Sequence, residues 1–335
     1  MPLIALAVLA PLKFALLARF GPLISGDTGG YVMYSDHILA GTTWLRSLDL
    51  SPHAIIIDAL RQPGYPLALA FFRTLLPGDQ NWPVAVVMFQ AAISLIVSWQ
   101  FARFLPRLGF GPAAVLGMTL AQGTAFPLLY DQMILTDSLN ASLMTLVTLG
   151  LLAASLDGGL TLARAALMGA ALIACFLLRE ATTLVGFLLA PLALVATWAS
   201  TRRQLCIAAR LALIFVPMLL ASQPQSAWNA ARSGGSGFVT TGLQTALMLS
   251  LVQAQARNPD VFAGGEPLDV AGRSGLHAGE FDDVIATNTE LHDHYGLNGP
   301  QIAQAVRKKY WQTWARHPLT MLATRSRELK ETTTL

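Results

Sequence analysis

Charge is what this chain has least of. Lysine, arginine, aspartate and glutamate make up 12% of its 335 residues, about half of the roughly 25% usual in a soluble domain. So few ionised groups cannot clothe a water-facing surface, and an ordinary soluble enzyme is excluded. The net charge of +3 and the pI near 9.0 come from basic residues scattered singly or in pairs at the ends of apolar runs. They form no stripe that would follow a phosphate backbone, so nucleic acid is excluded and the cations are read as orienting charges at a membrane surface.

Cysteine is scarce too. Cys175 and Cys206 lie in different apolar runs, so no disulfide is expected and no redox compartment follows. Walker, dinucleotide-binding and Gly-x-Ser-x-Gly motifs are absent, which removes soluble nucleotide chemistry. There is no internal repeat and no low-complexity tract. No positive charge precedes the apolar first dozen residues, and apolar character continues past Lys13 to Ile24. A first transmembrane helix is expected there rather than a cleaved signal.

Hydrophobic residues make up 54% of the chain, with a mean hydropathy of +0.52. A spanning helix needs about 20 mostly apolar residues, and runs of that kind occupy 2–24, 82–102, 112–130, 138–156, 160–178, 181–200 and 205–223. The expected fold is an all-α integral membrane protein, a polytopic bundle of about seven transmembrane helices with juxtamembrane amphipathic helices in its first outer loop. Arg103 and Arg107 close the second run, Arg164 opens the fifth, and Arg202 and Arg203 separate the sixth from the seventh. All face one side if the N-terminus is cytoplasmic. Asp27, Asp36, Asp49, Asp58, Asp79, Asp131 and Asp137, with the Arg179-Glu180 pair, then face the extracytoplasmic side.

Three parts are expected: a transmembrane module over 1–227, with its first outer loop at 25–81, an extracytoplasmic segment over 228–317, and the start of a further helix or a tail over 318–335. Tyr31, Tyr34 and Ile38, then Leu67, Leu69, Phe71 and Phe72, suit helices lying in the interface. In the later segment Asn298 is placed to cap a helix with Pro300 in its first turn. Ile302, Val306, Tyr310 and Trp314 recur every fourth residue beside Arg307, Lys308 and Lys309. This pattern predicts a helix returning to the bilayer surface. After Leu319 an eighth apolar run is cut by Arg325-Ser326-Arg327, and the expectation is that the chain is part of a longer protein.

Ionisable residues at membrane depth are functional candidates by default. Asp27 follows the first run and precedes Gly29-Gly30. It reads as an N-cap for the next helix and as a general base partly shielded from water, two readings that are compatible. Lys13 and Arg19 lie inside the first run, serving either a structural ion pair or an anionic ligand. Arg61-Gln62-Pro63-Gly64-Tyr65-Pro66 is a rigid turn able to hold Arg61 against a phosphate, although an arginine snorkelling to water is the commoner fate. Asp131, Asp137, Arg179 and Glu180 are expected to open into the same vestibule as Asp27. His277, Glu280, Asp282, Asp283, His292, Asp293 and His294 lack the spacing of a strong metal motif, so a solvated acidic loop is expected and no metal or cofactor. The sequon at Asn140-Ala141-Ser142 lies within a span and is set aside.

Taken in order, these stretches resemble the C-type superfamily of integral-membrane glycosyltransferases, nearest to the bacterial relatives of dolichyl-phosphate-mannose protein mannosyltransferases and of the lipid A aminoarabinose transferase. The resemblance rests on Asp27 after the first helix, Tyr31 and Leu39-Ala40-Gly41, and Arg61-Gln62-Pro63-Gly64-Tyr65-Pro66-Leu67. It continues through Asp131 to Leu139, Leu178-Arg179-Glu180 and Trp228 to Gly235. Two features depart from it: Thr28 stands where the mannosyltransferases tend to place a second acid, and the family's further helices are missing.

The resemblance implies an inverting transfer of a sugar from a polyprenyl-phosphate carrier to a lipid, glycan or protein acceptor, on the outer face of a bacterial inner membrane. Asp27 would be the catalytic base, and Arg61 and Arg179, with Arg19, would bind the donor phosphate. Tyr31, Tyr65, Asp131, Asp137, Glu180, Trp228 and Arg232 would line the substrate cavity. The alternatives are a transporter or flippase for a lipid-linked saccharide and a non-catalytic scaffold subunit.

Overall fold

A computed structural model describes residues 2–41, 61–78, 81–157, 159–179, 182–200, 204–233, 242–274, 281–297 and 299–333. Contacts divide the chain into two units: Met1–Ser47 with Arg61–Ser222, and Leu48–Leu60 with Gln223–Leu335. Among the described residues there is no strand, only an isolated bridge between Leu23 and Met133. The chain is an all-α membrane protein.

The first unit contains α1 (Pro2–Phe20), α2 (Thr28–Leu39), α3 (Gly64–Leu75), α4 (Asn81–Phe104), α5 (Pro112–Thr124), α6 (Phe126–Tyr130), α7 (Thr136–Asp157), α8 (Leu162–Leu178), α9 (Thr182–Leu188) and α10 (Ala190–Ser200). It also holds the part of α11 (Gln204–Ser233) up to Ser222. Hydrocarbon offers no partner for a backbone N–H or C=O, so each apolar run closes its hydrogen bonds within itself. Among the described residues four stretches are long and apolar enough to cross a membrane: Pro2–Phe20, Asn81–Leu108, Thr136–Asp157 and Leu205–Pro224. The other three runs fall short of that length for local reasons. The third breaks at Ala125, where Pro127 enters the first turn of α6. The sixth breaks at Leu189, with Pro191 in the first turn of α10. Proline lacks the N–H that would continue the preceding turn. The fifth, α8, has 17 residues.

α7 is central, packing against α4, α8 and α10. Leu139 joins a cluster with Tyr31, Tyr65, Leu69, Trp82 and Ile134. Val147 and Leu151 join another with Leu172, Phe176, Ile214 and Met218. On α1 the buried residues are Ala5, Leu9 and Lys13, a single stripe at helical spacing. Leu3, Phe20, Leu167, Leu188 and Leu220 stay exposed, an outer surface suited to hydrocarbon.

The first outer loop departs from expectation in one respect. Tyr31 and Tyr34 are buried against protein instead of lying in the interface. α3 packs on α2, and Arg73 fastens them by bonding Ser35 Oγ at 2.5 Å and pairing with Asp36 at 2.5 Å. The stripe left for a bilayer surface is Leu67, Phe71 and Leu75, four residues apart on the outer side of α3.

The second unit holds α12 (Gly242–Gln255), α13 (Pro267–Ser274), α14 (Phe281–Asp293), α15 (Gly299–Arg316) and α16 (Pro318–Thr333). Here the expected return to the bilayer surface is corrected. Ile302, Val306 and Tyr310 form a protein core with Met248, Leu251, Phe262 and Met321, and Trp314 packs at its edge. Helical spacing defines an apolar face without saying what covers it, and here α12 covers it. Lys309 and Lys308 pair with Asp269 at 2.5 Å and Glu266 at 2.7 Å. The expected cap, Asn298, lies outside the described residues. The expected segment boundary near Trp228 falls inside α11, and α16 runs unbroken through Arg325-Ser326-Arg327.

Candidate functional site

Asp27 sits at the N-terminus of α2 but makes no side-chain cap bond, which corrects the capping reading. Thr28, the first residue of α2, ties the helix to the preceding turn and to the 131–135 turn: its Oγ accepts from the Ser25 N–H at 3.0 Å and donates to the Ile134 carbonyl at 3.1 Å. The Asp27 carboxylate is left to pair with the Arg61 guanidinium. That side chain is 58% exposed, against the expected partial shielding from water. Among the described residues nothing lies within 4 Å of where a Cβ on the neighbouring Gly26 or Gly29 would stand.

Arg61 lies over the Tyr31 ring, 4.8 Å from its centroid, an arrangement favourable for a cation. Tyr31 meets Tyr65 edge-on at 5.2 Å and has its hydroxyl 3.4 Å from Thr136 Oγ. Tyr65 is fully buried and donates to Gln90 Oε1 at 2.7 Å. Burial pushes the Tyr65 phenol well above its ordinary value, and the neighbouring Tyr31 and Asp137 push it further. It therefore stays a hydrogen-bond donor at any physiological pH. Asp137, at the start of α7, pairs with Arg179 just beyond the end of α8. The rings of Tyr31 and Tyr65 thus lie between two ion pairs at one end of the unit.

Gly64 explains how the segments that carry the two arginines come together. The sequence assigns it to a tight turn, yet it is the first residue of α3 and its φ is not positive. Its missing side chain lets α3 touch α8: a Cβ on Gly64 would stand 2.6 Å from the Leu177 carbonyl oxygen. Arg61 precedes this crossing by three residues and Arg179 follows it by two. Gly64→Val is expected to destabilise the protein by about 1–3 kcal/mol through overpacking against backbone. Thermal unfolding in detergent checks the loss, with Gly117→Ala on α5, where nothing lies within 4 Å of the added Cβ, as a comparison.

Asp131 does not open into this vestibule. It is completely buried and pairs at 2.5 Å with Lys13, which is equally buried. Its other oxygen accepts from Ser138 Oγ, and Lys13 also reaches Ser94 Oγ at 3.3 Å. Gln90 Nε2 donates to the carbonyls of Asp131 and Met133 at 3.2 and 2.8 Å. The sequence allowed Lys13 a structural ion pair, but its partner Asp131 and the polar groups around it escaped the reading. Their signal is Gln90, Ser94 and Ser98 at four-residue spacing on one face of α4.

Arg19 also stays outside the site. It is exposed, lies over the neighbouring Phe20 ring at 5.6 Å, and has no anionic partner among the described residues. Glu180 lies outside the described residues. Trp228 and Arg232 fall on α11 in the second unit, with side chains outside the described set. Both cysteines are free. Among the described residues no three His, Cys, Asp or Glu side chains are grouped to hold a metal. No protein family, curated protein or solved structure matches the chain.

Chemically, the site offers two cations and two carboxylates that partner each other. Exposed pairs of this kind contribute only about 0–1 kcal/mol, whereas a hydrogen bond between a phosphate and a guanidinium contributes about 1.5–3 kcal/mol. Each arginine can therefore exchange its carboxylate for another anion at little cost.

Proposed function

We propose that the chain is a membrane-embedded inverting glycosyltransferase of the C-type superfamily, moving a sugar from a polyprenyl-phosphate carrier to an acceptor on the extracytoplasmic face of a bacterial inner membrane. In this reading the two interrupted runs and α8 also cross the bilayer, giving about seven spans. The observation that carries the proposal is the Asp27–Arg61 pair over Tyr31, exposed at the end of the unit where Arg179 pairs with Asp137.

The donor phosphate takes Arg61 and Arg179 from their carboxylates. Asp27, released only when donor is bound, accepts the proton of the acceptor hydroxyl. The acceptor oxygen bonds to the anomeric carbon from the side opposite the leaving group, and the carbon–oxygen bond to phosphate breaks. The phosphate monoester that departs gains negative charge, which the two guanidinium groups stabilise. Arg61→Ala is expected to raise the KM for the donor about 10- to 100-fold, the loss of one charge-assisted phosphate contact. Arg61→Lys restores it only in part, because an ammonium cannot reproduce the planar fork. Steady-state kinetics against donor concentration checks both.

A flippase for the same lipid-linked sugar is the second reading, favoured by the helix breaks at Ala125 and Leu189. Proteoliposomes loaded with a panel of labelled polyprenyl-phosphate sugars separate the two. Label leaving the carrier for an acceptor supports transfer. Label crossing the membrane on an intact carrier overturns it in favour of the flippase.

A further inference from the structure

The opposite end of the first unit holds a cavity of about 630 Å³ between the end of α4, the second half of α7 and the start of α8. Asp137 and Asp157 lie twenty residues apart on α7, a rise of about 30 Å, which is the thickness of a bilayer's hydrocarbon core. Asp137 pairs with Arg179 at one end of that length, and Asp157 pairs with Arg107 at 2.7 Å at the other. Arg103, Arg107, Arg164 and Asp157 all line the cavity. Among the described residues only Arg107 is neutralised. Arg164 donates to the Gly159 carbonyl at 2.8 Å, and Arg103 has no protein partner among the described residues. Two positive charges thus face the cavity without a counter-charge among the described residues.

Apart from Gln100 the rest of the cavity wall is apolar, with Leu143, Val147 and Met168 in it. From Asp157 back to Leu143 the helix runs fourteen residues, about 21 Å, deeper than the roughly 15 Å of one leaflet's hydrocarbon. A free inorganic anion would use the arginines and leave the apolar wall wet. A zwitterionic lipid would use the wall and leave the two cations uncompensated. A cationic rim over an apolar groove of leaflet depth matches an amphiphile with a net negative phosphate.

We infer that this cavity binds one anionic phospholipid from the leaflet at that end, its phosphodiester between Arg103 and Arg164 and an acyl chain along the wall of α7. The site lies at the far end of the unit from Asp27 and stands whether or not the proposed transfer reaction is correct. Native mass spectrometry of the full chain in detergent, titrated with phosphatidylglycerol, phosphatidylcholine or inorganic phosphate, tests it. One phosphatidylglycerol should be retained, phosphatidylcholine should bind far more weakly, and phosphate should not displace the lipid. Affinity for phosphatidylglycerol should fall about 30-fold in R103A/R164A, equivalent to about 2 kcal/mol at 1.4 kcal/mol per decade. A153F fills the cavity while keeping every arginine, and it should lose the lipid as well, so a failure of the double variant to fold leaves the test intact. Arg307→Ala, on the second unit, should retain it. Equal phosphatidylglycerol affinity in wild type and A153F, equal binding of phosphatidylcholine, or displacement by phosphate overturns the assignment.

Discussion

Asp131→Ala is expected to cost about 3–5 kcal/mol of stability, enough to unfold much of the protein in detergent at 37 °C. The pair with Lys13 has no exposed surface on either side chain, so removing the carboxylate strands an ammonium where water cannot reach it. Lys13→Ala should do the same to the carboxylate. Asp131 also holds Ser138, and Lys13 holds Ser94, so four side chains from α1, α4, the 131–135 turn and α7 lose their common centre. The double replacement Lys13→Met/Asp131→Leu is expected to recover most of the loss. Two buried charges are costly to desolvate, and an apolar pair of similar volume is often as stable. A double-mutant cycle on thermal or denaturant unfolding measures the coupling. Single variants that lose less than about 1 kcal/mol, as Arg107→Ala at the exposed Asp157 pair should, would refute the structural role.

That pair also marks where the sequence was legible and where it was not. The helical runs could be read because hydrocarbon permits one solution for each of them. Their interruptions at Ala125 and Leu189 follow from prolines visible in the chain. The Asp27 end could be read as well: Arg61, Asp137 and Arg179 do lie with Tyr31 and Tyr65 at one end of the unit. Asp131 could not, because its neighbours in sequence are a short turn and its neighbours in space are not. The turn folds inward when the Leu23 N–H bonds the Gln132 carbonyl at 2.7 Å and the Ile134 N–H bonds the Leu23 carbonyl at 3.1 Å. No periodicity encodes that pairing. Likewise Gly64 shows its glycine without showing Leu177, and the stripe at Ile302, Val306 and Tyr310 shows a face without α12 opposite it.

Asp27→Asn is expected to reduce sugar transfer by about 100- to 10,000-fold, the usual contribution of a general base, while leaving fold and donor binding intact. The amide keeps the shape of the carboxylate but cannot accept the acceptor's proton. Stability should hardly change, since the Asp27–Arg61 pair is 58% exposed on the carboxylate side and such pairs contribute about 0–1 kcal/mol. Donor affinity should hold or rise, because Arg61 no longer has a carboxylate to leave when phosphate arrives. This combination distinguishes a base from a structural acid, and Asp36 supplies the comparison. It lies on the same helix, pairs with Arg73 at 2.5 Å and is 52% exposed, so Asp36→Asn changes a similar exposed pair without touching Arg61. Transfer of label from polyprenyl-phosphate sugar, measured beside donor binding for both variants, gives the answer. Transfer by Asp27→Asn at the rate of Asp36→Asn would remove Asp27 from the mechanism, whereas loss of transfer with undiminished donor binding fits a base that Arg61 releases when phosphate binds.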